Sequence, residues 1–195
     1  GVKIKYTKKF YEIYGNGLDG YKFKKNLIIN AGNSGTLGRL IPALLIKSIK
    51  KIKLTGDKSL SRRDFSRVIN PLTKFGVTFF PKNKKTLPLI IKGTNFVRPI
   101  KYFENRGSAQ CKSSVMLAAL NSPGKTTIKA KKSRDHTEIL FKILNIPIKI
   151  IKTKKYDYIT VTGRKQFKSL DYNIPSDISS SSFFIVLTLL TKNKS

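Results

Sequence analysis

Cysteine, histidine and acidic side chains are scarce in this chain and tryptophan is absent, and each shortage closes a class of function. Cys111 is the sole cysteine of 195 residues, so no internal disulfide forms and no cysteine cluster can hold a metal. It stands near the start of an apolar helix, where a small buried residue is expected rather than a nucleophile, and a reducing, cytoplasmic location fits. His136 is the sole histidine. With no second histidine or carboxylate at ligand spacing, a helix-cap or packing role is expected there instead of a metal site. No Ser/His/Asp triad and no paired general-acid carboxylates can be argued, and neither metal nor cofactor is expected. Long hydrophobic runs are also missing. The longest, Phe183 to Leu190, is far too short to cross a bilayer, so no membrane association is expected.

Lysine and arginine, by contrast, abound: 40 of them against 10 acidic residues give a formal charge of +30. Such a field attracts anions of any kind, from nucleic acid to phosphorylated metabolites. Most lysines fall on alternating strand positions and loops, as in Lys3/Lys5 and Lys149/Lys152/Lys154/Lys155. That pattern reads as a solvated face in a chain biased toward Lys, Ile and Asn, so nucleic acid is not the expected partner. With 39% apolar residues the chain can bury one sizeable core, or one domain and the beginning of another.

The strongest positive signal is a pattern recurring roughly every seventy residues. A Ser/Gly-rich turn opens an apolar helix, a short strand follows, and a second helix begins with Ser-Arg-Asp chemistry. One pass reads Asn33-Ser34-Gly35-Thr36, Leu40 to Ile46, Lys51-Ile52-Lys53-Leu54, Ser61-Arg62-Arg63-Asp64 and Phe75-Gly76-Val77. The next reads Gly107-Ser108-Ala109-Gln110, Val115 to Leu120, Thr126-Thr127-Ile128, Ser133-Arg134-Asp135-His136 and Asn145-Ile146-Pro147. A third starts at Ser176-Asp177-Ile178-Ser179. Gly1-Val2-Lys3-Ile4-Lys5 matches the strand that closes a unit, so the chain is expected to be an internal segment of a larger protein. Alternation predicts strands at Tyr11–Tyr14, Leu87–Lys92 and Tyr156–Val161, each ended by a glycine (Gly15, Gly93, Gly163). Helices are expected at Leu37–Ile49, Asp64–Phe75, Lys112–Leu120, Thr137–Leu144 and Ser179–Leu190. The fold class is therefore α/β, built from repeated βαβαββ units.

The two small-residue turns, Asn33-Ser34-Gly35-Thr36 and Ser108-Ala109-Gln110, stand directly before apolar helices. There the free N–H groups of a first turn favour an anion, although plain N-capping explains any one of them. Arg63 and Arg134 begin each unit's second helix, where a guanidinium could grip a phosphate or carboxylate, or form a surface salt bridge to Asp64 or Asp135. Arg39 has the same two readings.

Taken in order, these motifs resemble the 5-enolpyruvylshikimate-3-phosphate synthase family. They are Asn33-Ser34-Gly35-Thr36 with Arg39, Gly56-Asp57-x-Ser59-Leu60-Ser61-Arg62-Arg63, Ser108-Ala109-Gln110-x-Lys112-Ser113, Ser133-Arg134-Asp135-His136-Thr137-Glu138, and Asp177-Ile178-Ser179-Ser180. The resemblance runs from about residue 26 to the end. It implies the enolpyruvyl transferase fold, an inside-out α/β barrel of six units in two domains, with residues 1–174 forming one nearly complete domain and 175–195 the crossover and first helix of the other. It also implies transfer of the enolpyruvyl group of phosphoenolpyruvate to the 5-hydroxyl of shikimate 3-phosphate, releasing phosphate, by an enzyme monomeric at full length.

By motif position Ser108, Ala109, Gln110 and Ser133 resemble contacts for shikimate 3-phosphate. Gly35, Arg63 and Gln110 resemble contacts for phosphoenolpyruvate, with Asn33 and Thr36 shaping the same turn. The family's catalytic Asp and Glu have no counterpart here, so no catalytic residue is assigned and the segment alone is expected to be inactive. Asp64 stands where the family usually has proline, and Gly38 where a larger apolar residue is usual. Two other readings are a transferase acting on UDP-N-acetylglucosamine and a basic anion- or nucleic-acid-binding module without catalysis. The module requires exposed aromatics among its lysines, whereas Phe183, Phe184, Tyr11, Tyr14, Tyr156 and Tyr158 are expected to pack.

Overall fold

The computed structural model describes residues 2–21, 26–167 and 169–191. Gly1 of the expected first strand and the last residues of the expected second domain, 192–195, lie outside them. In chain order the elements are β1 (Lys3–Tyr6), β2 (Tyr11–Tyr14), β3 (Ile28–Asn30), α1 (Gly35–Leu44), β4 (Ile52–Thr55), α2 (Lys58–Ser61), α3 (Ser66–Lys74), β5 (Thr78–Phe80) and β6 (Leu89–Lys92). They continue with β7 (Lys101–Glu104), α4 (Ala109–Ala119), β8 (Lys125–Lys131), α5 (His136–Ile143), β9 (Ile148–Lys152), β10 (Tyr156–Thr162) and α6 (Ile178–Leu190).

The sequence repeat is a repeat of topology. One four-stranded sheet runs in the order β3-β4-β6-β5 and the other in the order β7-β8-β10-β9. In each, the first strand pairs parallel with the second across a helix, and the remaining pairings are antiparallel. This is the expected βαβαββ unit, twice. The antiparallel pair β1–β2, with Ile4 opposite Ile13, corresponds to the hairpin that ends each of the other units.

Helices α1, α3 and α4 pack on one another, and the sheets lie outside them, touched by α4 through β8 and β10 and by α3 through β5. Inward strand positions, such as Leu54, Ile91, Ile128 and Val161, meet helix residues Ala43, Leu72, Val115 and Ala118 in one continuous buried cluster. Cys111 belongs to it, as the sequence indicated. The small residues of α4 let this helix be buried on most of its circumference.

Several boundaries differ from expectation for local reasons. Helix α1 stops at Leu44 instead of continuing to Ile49, because the carbonyls of Ile46 and Ser48 leave the helix to accept hydrogen bonds from Thr94 N (2.8 Å) and Gly93 N (2.6 Å). Gly93 is required there: a Cβ would stand 2.4 Å from the Ile46 carbonyl oxygen. Gly163 repeats the device one unit later, 2.1 Å from the Ala119 oxygen by the same construction. Strand β6 begins at Leu89, after Pro88, which has no N–H for the ladder.

The single-turn helix α2 was not foreseen; Asp57 starts it by accepting from Leu60 N at 2.7 Å. Helix α3 begins at Ser66, not Asp64: Phe65 holds the cap position without a side-chain bond, and Asp64 before it stays in the turn, its carboxylate accepting from the Ser66 amide and hydroxyl at 2.7 Å each. Helix α4 starts at Ala109, ahead of the expected Lys112, because Ser108 already caps Cys111 N. Helix α6, capped by Asp177, has no buried residue.

Candidate functional site

The starts of α1, α4 and α5 meet at one end of the helical layer, held by side chains rather than by the apolar core. Gln110 on α4 reaches α1 twice: its Nε2 donates to Thr36 Oγ1 at 2.8 Å, and its Oε1 accepts from Arg39 Nη1 at 2.9 Å. Arg39 Nη1 also donates to the Gly35 carbonyl at 3.2 Å, and its guanidinium lies over the Phe65 ring. On the other side of α4, Ser113 and Thr137 of α5 share a hydrogen bond of 2.6 Å, and Lys112 Nζ donates to the Arg134 carbonyl at 3.1 Å. First-turn N–H groups have no intrahelical acceptor, so clustered helix starts present a positive, donor-rich surface.

Arg63 joins this cluster from the link between α2 and α3. A Cβ built on Gly35 would stand 2.7 Å from Arg39 Nη1 and 3.2 Å from Arg63 Nη1, so two guanidinium groups converge over a residue with no side chain. The φ of Gly35 is not positive, and glycine serves there by leaving space. Arg63 forms no ion pair with Asp64, contrary to the alternative drawn from sequence: Asp64 is engaged by Ser66, and the further cations acting on it are Lys85 and Arg106. The hydrogen bonds from Ser66 hold its carboxyl below the ordinary value. Arg134 is likewise not paired with Asp135. That carboxylate accepts from Lys152 at 3.0 Å, which lowers its pKa and leaves the Arg134 side chain exposed.

Of the residues singled out by motif, Gly35, Thr36, Arg63 and Gln110 are brought together. Asn33 lies exposed in the preceding turn, outside their hydrogen bonds. Ser108 caps α4, and Ala109 is its first residue. Ser133 stands beside the Lys112–Arg134 link with its Oγ buried and without a hydrogen-bond partner. His136 neither caps nor packs: it is the exposed first residue of α5, and Asp135 occupies the cap position. Among the described residues no group of three or more His, Cys, Asp or Glu could hold a metal.

Sequence reasoning missed the buried charges that support these turns. Lys112 is 0% exposed and pairs with buried Glu138 at 2.5 Å. Glu104, at the end of β7, accepts from Arg67 of α3 (2.9 Å) and from the amides of Arg106 (3.2 Å) and Ser108 (2.9 Å). Lys112 and Glu138 both lie inside quoted motifs, so a pairing between the motifs was there to be read.

The aromatic residues also depart from expectation. Phe183 and Phe184 are exposed on α6, and Tyr11, Tyr14 and Tyr158 are exposed on their strands. On the outer face of the second sheet Lys129 Nζ lies 5.2 Å from the Phe103 ring, 4.6 Å from Tyr156 and 5.8 Å from Tyr158.

Comparison with known proteins supplies the family. The model of EPSP synthase (3-phosphoshikimate 1-carboxyvinyltransferase) matches residues 1–194, extending the likeness well before residue 26. A 3-phosphoshikimate 1-carboxyvinyltransferase of Ruthia magnifica is 44% identical over 187 residues, covering 95% of this chain and 42% of the relative. One of Petrotoga mobilis is 40% identical over 184 residues, covering 93% of this chain and 41% of its own length. The structure of EPSP synthase from Acinetobacter baumannii superposes with a TM-score of 0.81 at 32% identity, covering 95% of this chain and 41% of that one. The chain thus spans about two fifths of the length of the relatives it matches.

Proposed function

The chain belongs to the EPSP synthase family, and we propose that, within a longer chain, it takes part in transferring the enolpyruvyl group of phosphoenolpyruvate to the 5-hydroxyl of shikimate 3-phosphate with release of phosphate. The observation that carries this reading is the convergence of Arg39 and Arg63 on the side-chain-free edge of Gly35, with Gln110 of α4 bonded to Arg39 and Thr36. Phosphoenolpyruvate brings a phosphate and a carboxylate, and bidentate guanidinium groups suit both. In this reading Gly35, Arg63, Gln110, Thr36 and Asn33 line the phosphoenolpyruvate side. Ser108, Ala109, Gln110 and Ser133 line the shikimate 3-phosphate side, where hydroxyls and helix-start amides can replace the water around a phosphate.

This half of the site performs binding and electrostatic stabilisation. Charge developing on the departing phosphate would be met by donors already held in place, which needs no reorganisation at the moment of reaction. No proton-transfer residue is assigned to this chain. The proposal extends to a second domain beginning near Pro175, supported by the apolar residues that α6 leaves unburied, and to a monomeric enzyme of the cytoplasm. Phosphate release by the full-length protein, measured with both substrates and with each omitted, tests the activity. No release with both present would overturn it.

A second reading, a surface for nucleic acid, has one observation of its own: Lys129 among Phe103, Tyr156 and Tyr158, on a strand face that also carries Lys125 and Lys131. Cations track phosphates and rings stack on bases. Filter binding of single-stranded nucleic acid in rising salt decides it. Affinity that collapses with salt and is indifferent to Tyr158→Ala is charge alone.

A further inference from the structure

We propose that Lys112 is a positioning residue for shikimate 3-phosphate: its buried ammonium ties α4 to the turn carrying Ser133, and so fixes that hydroxyl relative to Ser108 and Gln110. The inference rests on the functional reading above. Burying an ammonium is costly unless it is paired and hydrogen-bonded, and an apolar side chain of similar volume would commonly serve packing as well or better. Lys112 is fully buried one helical turn beyond Ser108, with Glu138 Oε1 at 2.5 Å. What it does that an apolar residue could not is donate to the Arg134 carbonyl at 3.1 Å.

The turn has few other polar ties at that point. Ser133 Oγ has no partner, the Arg134 side chain is exposed, and Asp135 faces Lys152. The Ser113–Thr137 hydrogen bond holds α5 to α4, but one turn further along the chain. Lys112 is therefore the strut between the α4 start and the backbone following Ser133. Glu138 Oε1 faces the lysine, and its Oε2 is itself buried without a partner. Removing the lysine alone would strand that carboxylate and confound positioning with stability.

The test is the paired variant Lys112→Met with Glu138→Gln in the full-length protein, which removes both charges and the donor to Arg134. Backbone amide exchange at residues 133–136 should accelerate about tenfold while the body of α4 keeps its protection. The dissociation constant for shikimate 3-phosphate, by calorimetry, should rise about tenfold. The KM for phosphoenolpyruvate at saturating shikimate 3-phosphate should move less than about twofold. Should this pair fail to fold, Lys112→Gln with Glu138→Gln provides a neutral pair too short to reach the Arg134 carbonyl. Unchanged exchange at residues 133–136 overturns the proposal. So does exchange rising equally through α4 and α5 with both substrates weakened alike, which is what a merely structural role would give. If the wild-type protein binds no shikimate 3-phosphate, the functional reading falls, and the exchange measurement alone decides the strut.

Discussion

At Gly35 the missing side chain leaves the space in which two guanidinium groups stand. The Arg39 guanidinium that a Cβ would displace is itself bonded to the Gly35 carbonyl and to Gln110. It can swing away, but only by giving up those bonds. Gly35→Ala in the full-length enzyme is therefore expected to weaken phosphoenolpyruvate by about 1 kcal/mol, roughly fivefold, and to leave shikimate 3-phosphate within about twofold. Equal weakening of both in steady-state kinetics would remove Gly35 from the phosphoenolpyruvate side. Arg63 is the cleaner probe, since among the described residues it has no ion-pair partner to strand. Arg63→Ala should cost about 1.5–3 kcal/mol in kcat/KM for phosphoenolpyruvate, with the smaller effect on shikimate 3-phosphate. An unchanged kcat/KM would show that this guanidinium does not touch the substrate.

Elements were legible where the pattern is local and obscure where distant backbone intervenes. Alternation in Tyr156–Val161 is a property of a few consecutive residues and gives a strand within one residue of that observed, whereas the helices expected from Leu37 and Lys112 begin earlier, at Gly35 and Ala109, where Ser34 and Ser108 cap them. The end of α1 was misread because the apolar run through Ile46 looks helical until Gly93 and Thr94 claim its carbonyls. The site shows the same division. Motifs named Gly35, Arg63 and Gln110, but not the Arg39–Gln110 bond, which joins residues 71 apart, nor the Lys112–Glu138 pair.

Gly38 illustrates packing between elements: a Cβ there would lie 3.2 Å from two carbons of the buried Phe65 ring, which would have to shift by a few tenths of an ångström to admit it. Gly38→Ala sets a helix-propensity gain of about 1 kcal/mol against crowding of that ring, so in thermal melts Gly38→Ala should raise stability more in a Phe65→Leu background than in the wild-type chain. Asp64 acts on the start of α3. Its carboxyl pKa is lowered in the folded state, so its stabilisation is present above the ordinary value of 3.8 and is lost as pH falls through the lowered one. Near neutral pH, Asp64→Ala should destabilise by about 1 kcal/mol, as loss of its hydrogen bonds from Ser66 does. In denaturant titrations that gap should close well below pH 3.8. A gap that persists in acid would mean that the carboxylate's bonds from Ser66 are not its source.

For the whole molecule the dominant fact is the excess of 40 basic over 10 acidic residues. Four of the acidic side chains that do form ion pairs, Glu104, Asp135, Glu138 and Asp157, hold the turns and sheet of the second full unit, so few remain to offset the lysines elsewhere. Like charges on strand faces and loops repel across the compact state more than across an expanded chain, and that repulsion is screened over a Debye length of about 10 Å at 0.1 M salt. Folding stability should therefore rise with ionic strength, opposite to a protein held together by surface ion pairs. Between about 0.02 and 0.3 M sodium chloride the gain should be about 1 kcal/mol, or roughly 2–4 °C in Tm for a chain of this size. Chloride and fluoride salts must give the same shift if screening is the cause. A phosphate-containing buffer that stabilises well beyond its ionic strength would instead report occupancy of the cluster around Gly35, Arg39 and Arg63, and Arg63→Ala should then abolish the excess while leaving the screening part intact.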